Sequence, residues 1–134
     1  MQLNTLYNKV YRITIVPVNP EKTQAQFLKW EQQFRKGLLN FLVLAALARE
    51  RHYGYSLMTA LRKTLEADMS EGTIYPLLSR LERDGLIRSE WEIQPTGPAR
   101  KYYRITPDGR ELHQQMREHW RHVDARIRAE DKSS

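Results

Sequence analysis

The sequence predicts a mainly α-helical fold with one small β-hairpin. Three observations carry that expectation. Apolar residues recur at steps of three and four along most of the chain, which is the helical period. One stretch, Ile87, Ser89, Trp91 and Ile93, alternates with polar residues as a strand does. The turn "QPTGPA" (residues 94–99) follows it, and its two prolines and glycine send the chain back antiparallel.

Residues 1–20, "MQLNTLYNKVYRITIVPVNP", stand apart as an arm of unknown role. Val10 to Val18 is rich in β-branched and aromatic residues, and Pro17 limits any strand there to an edge. Pro20 opens a helical region in which Phe27, Trp30, Phe34, Leu38 and Phe41 form an amphipathic series. Gly37 is expected to mark a kink or a boundary between two helices. The longest apolar run, "LLNFLVLAALA" (Leu38 to Ala48), falls short of the roughly 20 residues needed to span a membrane and reads as a buried helix.

Tyr53-Gly54-Tyr55 signals a turn. Ser56 is the expected cap of a second helix, with Leu57, Leu61 and Leu65 on one face and an end near "EADM" (residues 66–69). Ser70 caps a third helix within "EGTIYPLLSRLERDGLI" (Glu71 to Ile87). Pro76 removes a backbone donor. It implies a start at Gly72 or Thr73, or a bend at Pro76. Asp84-Gly85 ends the helix, because glycine accepts the left-handed conformation. Tyr102 to Ile105 form the returning strand, with one of Tyr102 and Tyr103 packing inward. Thr106-Pro107 starts a last helix with threonine as cap. Leu112, Met116, Trp120, Val123 and Ile127 form a single stripe along it.

Three helices followed by a hairpin is the layout of a winged helix-turn-helix, here with an added C-terminal helix. The expected organisation is an arm at 1–20, a leading helix with the winged-helix DNA-binding domain at 21–106, and a dimerisation helix at 107–134. In such a layout the third helix enters the major groove and the hairpin lies over adjacent phosphates. Ile74, Leu77, Leu78 and Leu81 then hold the third helix to the core. Its other side shows Thr73, Tyr75, Ser79, Arg80 and Arg83. Hydroxyls suit phosphates and base edges, and arginine forks onto guanine or phosphate.

The candidate DNA-binding residues are Ser70, Thr73, Tyr75, Ser79 and Arg80, with Thr96, Gly97, Arg100 and Lys101 on the hairpin. Tyr53 and Tyr55 join them at the start of the second helix, which crosses the DNA backbone in this layout. The plainer readings stay open beside these. Cations on an edge strand discourage aggregation, and an aromatic beside a glycine often only covers the turn. Arg104 is even between DNA contact and a solvated charge.

Composition agrees. A net charge of +6 on 134 residues favours an anionic partner, nucleic acid or membrane surface, with plain solubility as the reading that charge alone leaves open. The absence of cysteine removes disulfides, thiolate catalysis and cysteine zinc sites, and suits a cytoplasmic protein. No Gly-rich phosphate loop follows a strand, and no serine lies in an elbow motif, so an enzyme is not expected. No cofactor or metal is expected. His119 and His122 are three apart, but surface histidines, His113 included, are the simpler account. An apolar stripe on a terminal helix calls for a partner. A second copy of the chain is the simplest one, and two-fold DNA reading needs it.

The motifs "HYGYSLM", "EGTIYPLLSRLERDGLI" and "GPARKYYRITPDG", in this order and spacing, resemble the PadR family of bacterial transcriptional regulators. The resemblance runs from about Gly37 to the end of the last helix. It implies a dimeric winged-helix repressor that binds an inverted-repeat operator and is released by a small molecule. The single C-terminal helix, with "HWRHVDARI" (His119 to Ile127), is similar to a multidrug-sensing branch of the family. There the residue matching Trp120 stacks on small planar aromatic ligands. Effector-binding or dimer-interface candidates are therefore Trp120, Met116, Val123, Leu112, Ile127 and Phe34, and Trp120 as dimer packing alone stays open. A protein-interaction winged helix without DNA binding is the alternative reading.

Overall fold

A computed structural model describes residues 16–133. Most of the expected arm therefore lies outside the described residues. Val16 to Asn19 are exposed and form no strand. In chain order the elements are helix α1 (Pro20–Arg49), strand β1 (His52–Tyr53), helices α2 (Gly54–Leu65) and α3 (Glu71–Arg83), strands β2 (Ile87–Glu92) and β3 (Arg100–Ile105), and helix α4 (Pro107–Ser133). The chain divides into two compact units, Met1–Phe34 and Arg35–Ser134. In the first, Phe27, Trp30 and Phe34 lie exposed along α1, with Trp30 and Phe34 stacked 5.1 Å apart.

The second unit contains the core. Leu39, Val43, Leu44 and Leu47 of α1 meet Leu57, Met58 and Leu61 of α2 and Ile74, Leu77, Leu78 and Leu81 of α3. Ile87, Tyr103 and Ile105 close the core from the sheet, and Leu112 and Met116 of α4 pack against it. The apolar run Leu38 to Ala48 is thus not buried all round. One face is sealed while Leu38, Phe41, Leu42 and Ala45 stay half-buried. Gly37 breaks nothing: α1 is helical straight through it.

Two helix starts differ from expectation in an instructive way. Ser56 is not the residue preceding α2. Tyr53 is, with extended backbone, and Ser56 reaches back from the helix's first turn so that its Oγ accepts the Tyr53 N–H at 3.1 Å. The same oxygen lies 3.0 Å from Nδ1 of the buried His52. α3 starts at Glu71 despite Pro76. Ser70 stands in the cap position, and its carbonyl accepts from the N–H groups of Thr73 and Ile74, both at 3.1 Å. Pro76 deprives only the Gly72 carbonyl of a partner, and that carbonyl belongs to the exposed first turn, where water can serve it.

The end of α3 is as expected. Gly85 is left-handed at φ +75. Its N–H bonds the Glu82 carbonyl, and the Leu86 N–H bonds the Leu81 carbonyl, the paired closure that terminates many helices. Thr106 then joins this end to the start of α4. Its N–H donates to the Leu86 carbonyl at 3.1 Å and its hydroxyl to the Gly85 carbonyl at 2.7 Å. The same hydroxyl oxygen accepts the Gly109 N–H at 3.1 Å, which makes Thr106 the expected cap of α4.

The sheet has one strand more than the hairpin anticipated. β1 adds to the outer edge of β3, giving the order β1-β3-β2, all antiparallel. His52 faces Tyr103 and Tyr53 faces Tyr102 in that added pair. The "HYGY" turn signal therefore contains a two-residue strand.

Candidate nucleic-acid interface

The hairpin β2–β3 projects from the core as a wing. Register decides where its side chains go. Ile87, Ser89 and Trp91 share one face with their partners Ile105, Tyr103 and Lys101. Ile87, Ile105 and Tyr103 are buried there. Further out the core has ended, so Trp91 on the same face is 70% exposed, and Ile93 beyond the strand is 90% exposed. Alternation thus places Trp91 on the core side of the wing but beyond the core itself.

What lies opposite Trp91 is a cleft of about 290 Å³ lined by Tyr53, Gly54, Tyr55, Tyr75, Trp91, Arg100, Lys101 and Tyr103. It brings together five of the candidate residues named from the sequence, Tyr53, Tyr55, Tyr75, Arg100 and Lys101, from β1, α2, α3 and the wing. Burial pushes the Tyr103 hydroxyl's pKa up, so it stays neutral at the floor of the cleft. Tyr75 leans across from α3 until its ring lies against Gly54. A Cβ on Gly54 would stand 2.2 Å from the Tyr75 hydroxyl oxygen. Tyr53 and Tyr55 stack 6.5 Å apart, and the Arg100 guanidinium lies 4.4 Å over the Tyr53 ring.

The outer face of the wing is organised by ion pairs. Arg104 donates to the Glu90 carboxylate at 2.9 Å across the strands. Arg51, from the turn before β1, grips the Glu92 carboxylate with both terminal nitrogens and covers the Tyr102 ring at 3.9 Å. Tyr102 in turn meets Tyr53 edge-on at 5.5 Å. Hydrogen bonds from Arg104 and Arg51 hold the Glu90 and Glu92 carboxyls below the usual carboxylate range. The charge of Arg104 is thereby spent, whereas Arg100 and Lys101 make no ion pair among the described residues.

On α3, Thr73, Tyr75, Ser79 and Arg80 are all exposed, as are Ser70 and Arg83. They do not point one way. Helical spacing puts Ser79 and Arg83 on the outermost ridge, Tyr75 on the flank toward the wing, and Thr73 and Arg80 on the flank toward α1. Arg80 reaches the Asn40 side-chain oxygen at 3.4 Å, a long contact. Lys36, Asn40, Thr73, Pro76 and Arg80 line a second cleft of about 310 Å³ there. Ser70 and Thr73 hydroxyls lie 3.1 Å apart at the helix start. Thr96 and Gly97 sit at the exposed wing tip, Gly97 with φ +83.

The family of proteins this surface belongs to follows from comparison with known sequences. The profile described as the transcriptional regulator PadR-like family matches residues 43–115, more than half of the chain. This chain belongs to the PadR-like family of transcriptional regulators. Membership makes it a regulator of transcription and not an enzyme. A PadR-like regulator from Bacillus cereus is 38% identical, with 71% of this chain and 92% of that one covered at a TM-score of 0.66. A PadR family regulator from Eggerthella lenta is 32% identical, with 80% and 93% covered and a TM-score of 0.71. A transcriptional regulator of Mycobacterium tuberculosis is 55% identical over 42 residues, which is 31% of this chain and 38% of that relative's length.

The remaining candidates of this PadR-like chain divide along α4. Leu112 and Met116 are half-buried against their own core. Trp120, Val123 and Ile127, further along, are exposed. Phe34 is exposed on α1 in the other compact unit. His113 is not a surface histidine: it stacks on Phe41 at 5.4 Å, and partial burial beside Arg117 lowers its pKa. Among the described residues no group of three His, Asp or Glu side chains is placed to hold a metal, and no helix is long and apolar enough to cross a membrane.

Sequence reasoning passed over Arg51, Lys36 and the cleft role of Trp91. The strand period did place Trp91 on the face of Ile87. What it lacked was the point along the wing where the core stops.

Proposed function

We propose that this chain is a dimeric repressor that binds an inverted-repeat operator. Helix α3 enters the major groove and the wing lies over the adjoining phosphates. The observation that carries this reading is the exposed polar surface of α3 beside Arg100 and Lys101, two cations that no acid neutralises among the described residues. Ser79 and Arg83 occupy the ridge that goes deepest. Arg80, Thr73 and Ser70 contact bases or phosphate on one side, and Tyr75 does so on the other. Arg100, Lys101, Thr96 and Gly97 hold the backbone, as do Tyr53 and Tyr55 at the start of α2. Family membership supports DNA as the partner.

The exposed Trp120, Val123 and Ile127 of α4 support the second half of the reading. Two copies pair through α4, and a small planar aromatic ligand stacking on Trp120 releases the DNA. The winged-helix part is then residues 21–106 and the pairing helix 107–134, in a protein that works in the cytoplasm without a cofactor.

Selection of bound duplexes from random DNA, followed by titration at several salt concentrations, tests this. Recovery of an inverted repeat is expected. Lys101→Ala should reduce the slope of log affinity against log salt by about one, and Arg80→Ala should cost about 1–3 kcal/mol. If neither variant changes affinity, the assigned surface is wrong. If no duplex is retained even at low salt, the protein-interaction reading takes its place.

A further inference from the structure

The cleft beside Trp91 contains more aromatic surface than phosphate neutralisation needs. It is lined by Tyr53, Tyr55, Tyr75, Trp91 and Tyr103, with the cations Arg100 and Lys101. A wing that only neutralised charge would need the two cations and nothing apolar between them and α3. Instead the largest apolar side chain of the wing, 70% exposed, lines the cleft together with Tyr75 of α3, and its cross-strand partner is Lys101. Leaving an indole face in water has a cost that burial against a partner recovers.

The occupant must fit three constraints. It is anionic at the rim and apolar in the middle, and it is narrow enough for a cleft of about 290 Å³. A deoxyribose with its flanking phosphate meets all three: the sugar offers a flat C–H face to the rings, and the phosphate oxygens accept from Arg100, Lys101 and the tyrosine hydroxyls. Resting on the DNA-binding reading given above, we propose that the cleft seats one sugar-phosphate unit of a DNA strand, with the Trp91 indole packed on the deoxyribose. Trp91 is then a backbone-contacting residue of the interface. It contributes affinity that is independent of salt, because its contact displaces no counterion.

That last property separates it from Lys101. With a duplex selected on the wild-type protein from random DNA, Trp91→Ala should weaken binding about tenfold, the worth of some 1.4 kcal/mol of apolar contact, with the salt slope unchanged. Trp91→Phe should recover most of the loss, and Lys101→Ala should lower the slope. Wild-type tryptophan emission should change on saturation with this duplex, and most of that change should vanish in Trp91→Phe. Trp91 is too exposed for either variant to threaten the fold. Affinity of Trp91→Ala within twofold of wild type, or an emission change equal in Trp91→Phe, would overturn the proposal while Lys101→Ala still reports a DNA interface. Failure of the wild-type protein to retain any duplex would overturn both.

Discussion

Gly54 occupies a position where any other residue meets Tyr75. It begins α2, and at a first helical position alanine is intrinsically the better helix former, by up to about 1 kcal/mol. Yet an added Cβ would stand 2.2 Å from the Tyr75 hydroxyl oxygen and 2.9 Å from the ring carbon that bears it. Tyr75 is exposed and its ring can swing away, so the fold tolerates the change while the cleft does not. Gly54→Ala is therefore expected to keep or raise the melting temperature and yet lower DNA affinity about tenfold, near 1.4 kcal/mol. Anisotropy titration beside thermal unfolding would check both signs. Equal affinity would mean that the seat of Tyr75 is irrelevant to binding.

At the scale of elements, the wing is held by pairs that contribute little stability and much placement. Arg51–Glu92 and Arg104–Glu90 are solvent-accessible, and exposed ion pairs are individually weak. Their value is to fix where Arg100 and Lys101 stand. Both carboxyls titrate below the ordinary range, so the contribution of each pair is complete above the unfolded-state pKa and disappears as pH falls through the lower folded value. Acid titration of the β2–β3 amide signals should accordingly show wild-type cross-strand order persisting to lower pH than in Arg51→Ala, whose transition moves up toward the ordinary carboxylate range. Superimposable titrations would show that Arg51 does not hold the wing.

These elements were unequally legible in the sequence. The end of α3 could be read because Gly85 takes a left-handed conformation that favours glycine, whereas its start was set back by Pro76, which the first turn in fact tolerates. Thr106-Pro107 announced α4 through a capping threonine and a proline in the first turn. Gly37 misled because glycine inside a helix signals weakness only when something exploits it, and an added Cβ there would meet nothing. β1 was invisible because two residues have no period; they are a strand only because Tyr102 and Tyr103, some fifty positions on, supply the partners. Tyr53, Tyr55, Tyr75, Arg100 and Lys101 of the cleft could be named from sequence, but Trp91 could not, because the walls are set by how α2, α3 and the wing converge.

For the whole molecule, the proposed function turns on association of two copies. Leu112 and Met116 serve their own core, so the exposed part of the α4 stripe is what a partner can use. Val123→Asp is expected to give monomers by sedimentation and to weaken operator binding about a hundredfold or more, because two half-sites no longer act together. Leu112→Asp would also disturb the core that Leu112 packs against, so it tests the interface less cleanly. A Val123→Asp dimer of undiminished affinity would place the pairing surface elsewhere.

Thr106 gives this architecture one more property. Its amide and hydroxyl hold the carbonyls of Leu86 and Gly85, the two residues whose N–H groups close α3, while its oxygen caps α4, and Gly109 packs so near the Leu86 carbonyl that a methyl group there would come within 2.0 Å of it. The knot has no slack. A tilt of the long terminal rod at its root would drag the tail of α3 along with it, so under the proposed function a signal received on one would reach the other by leverage rather than through a flexible hinge.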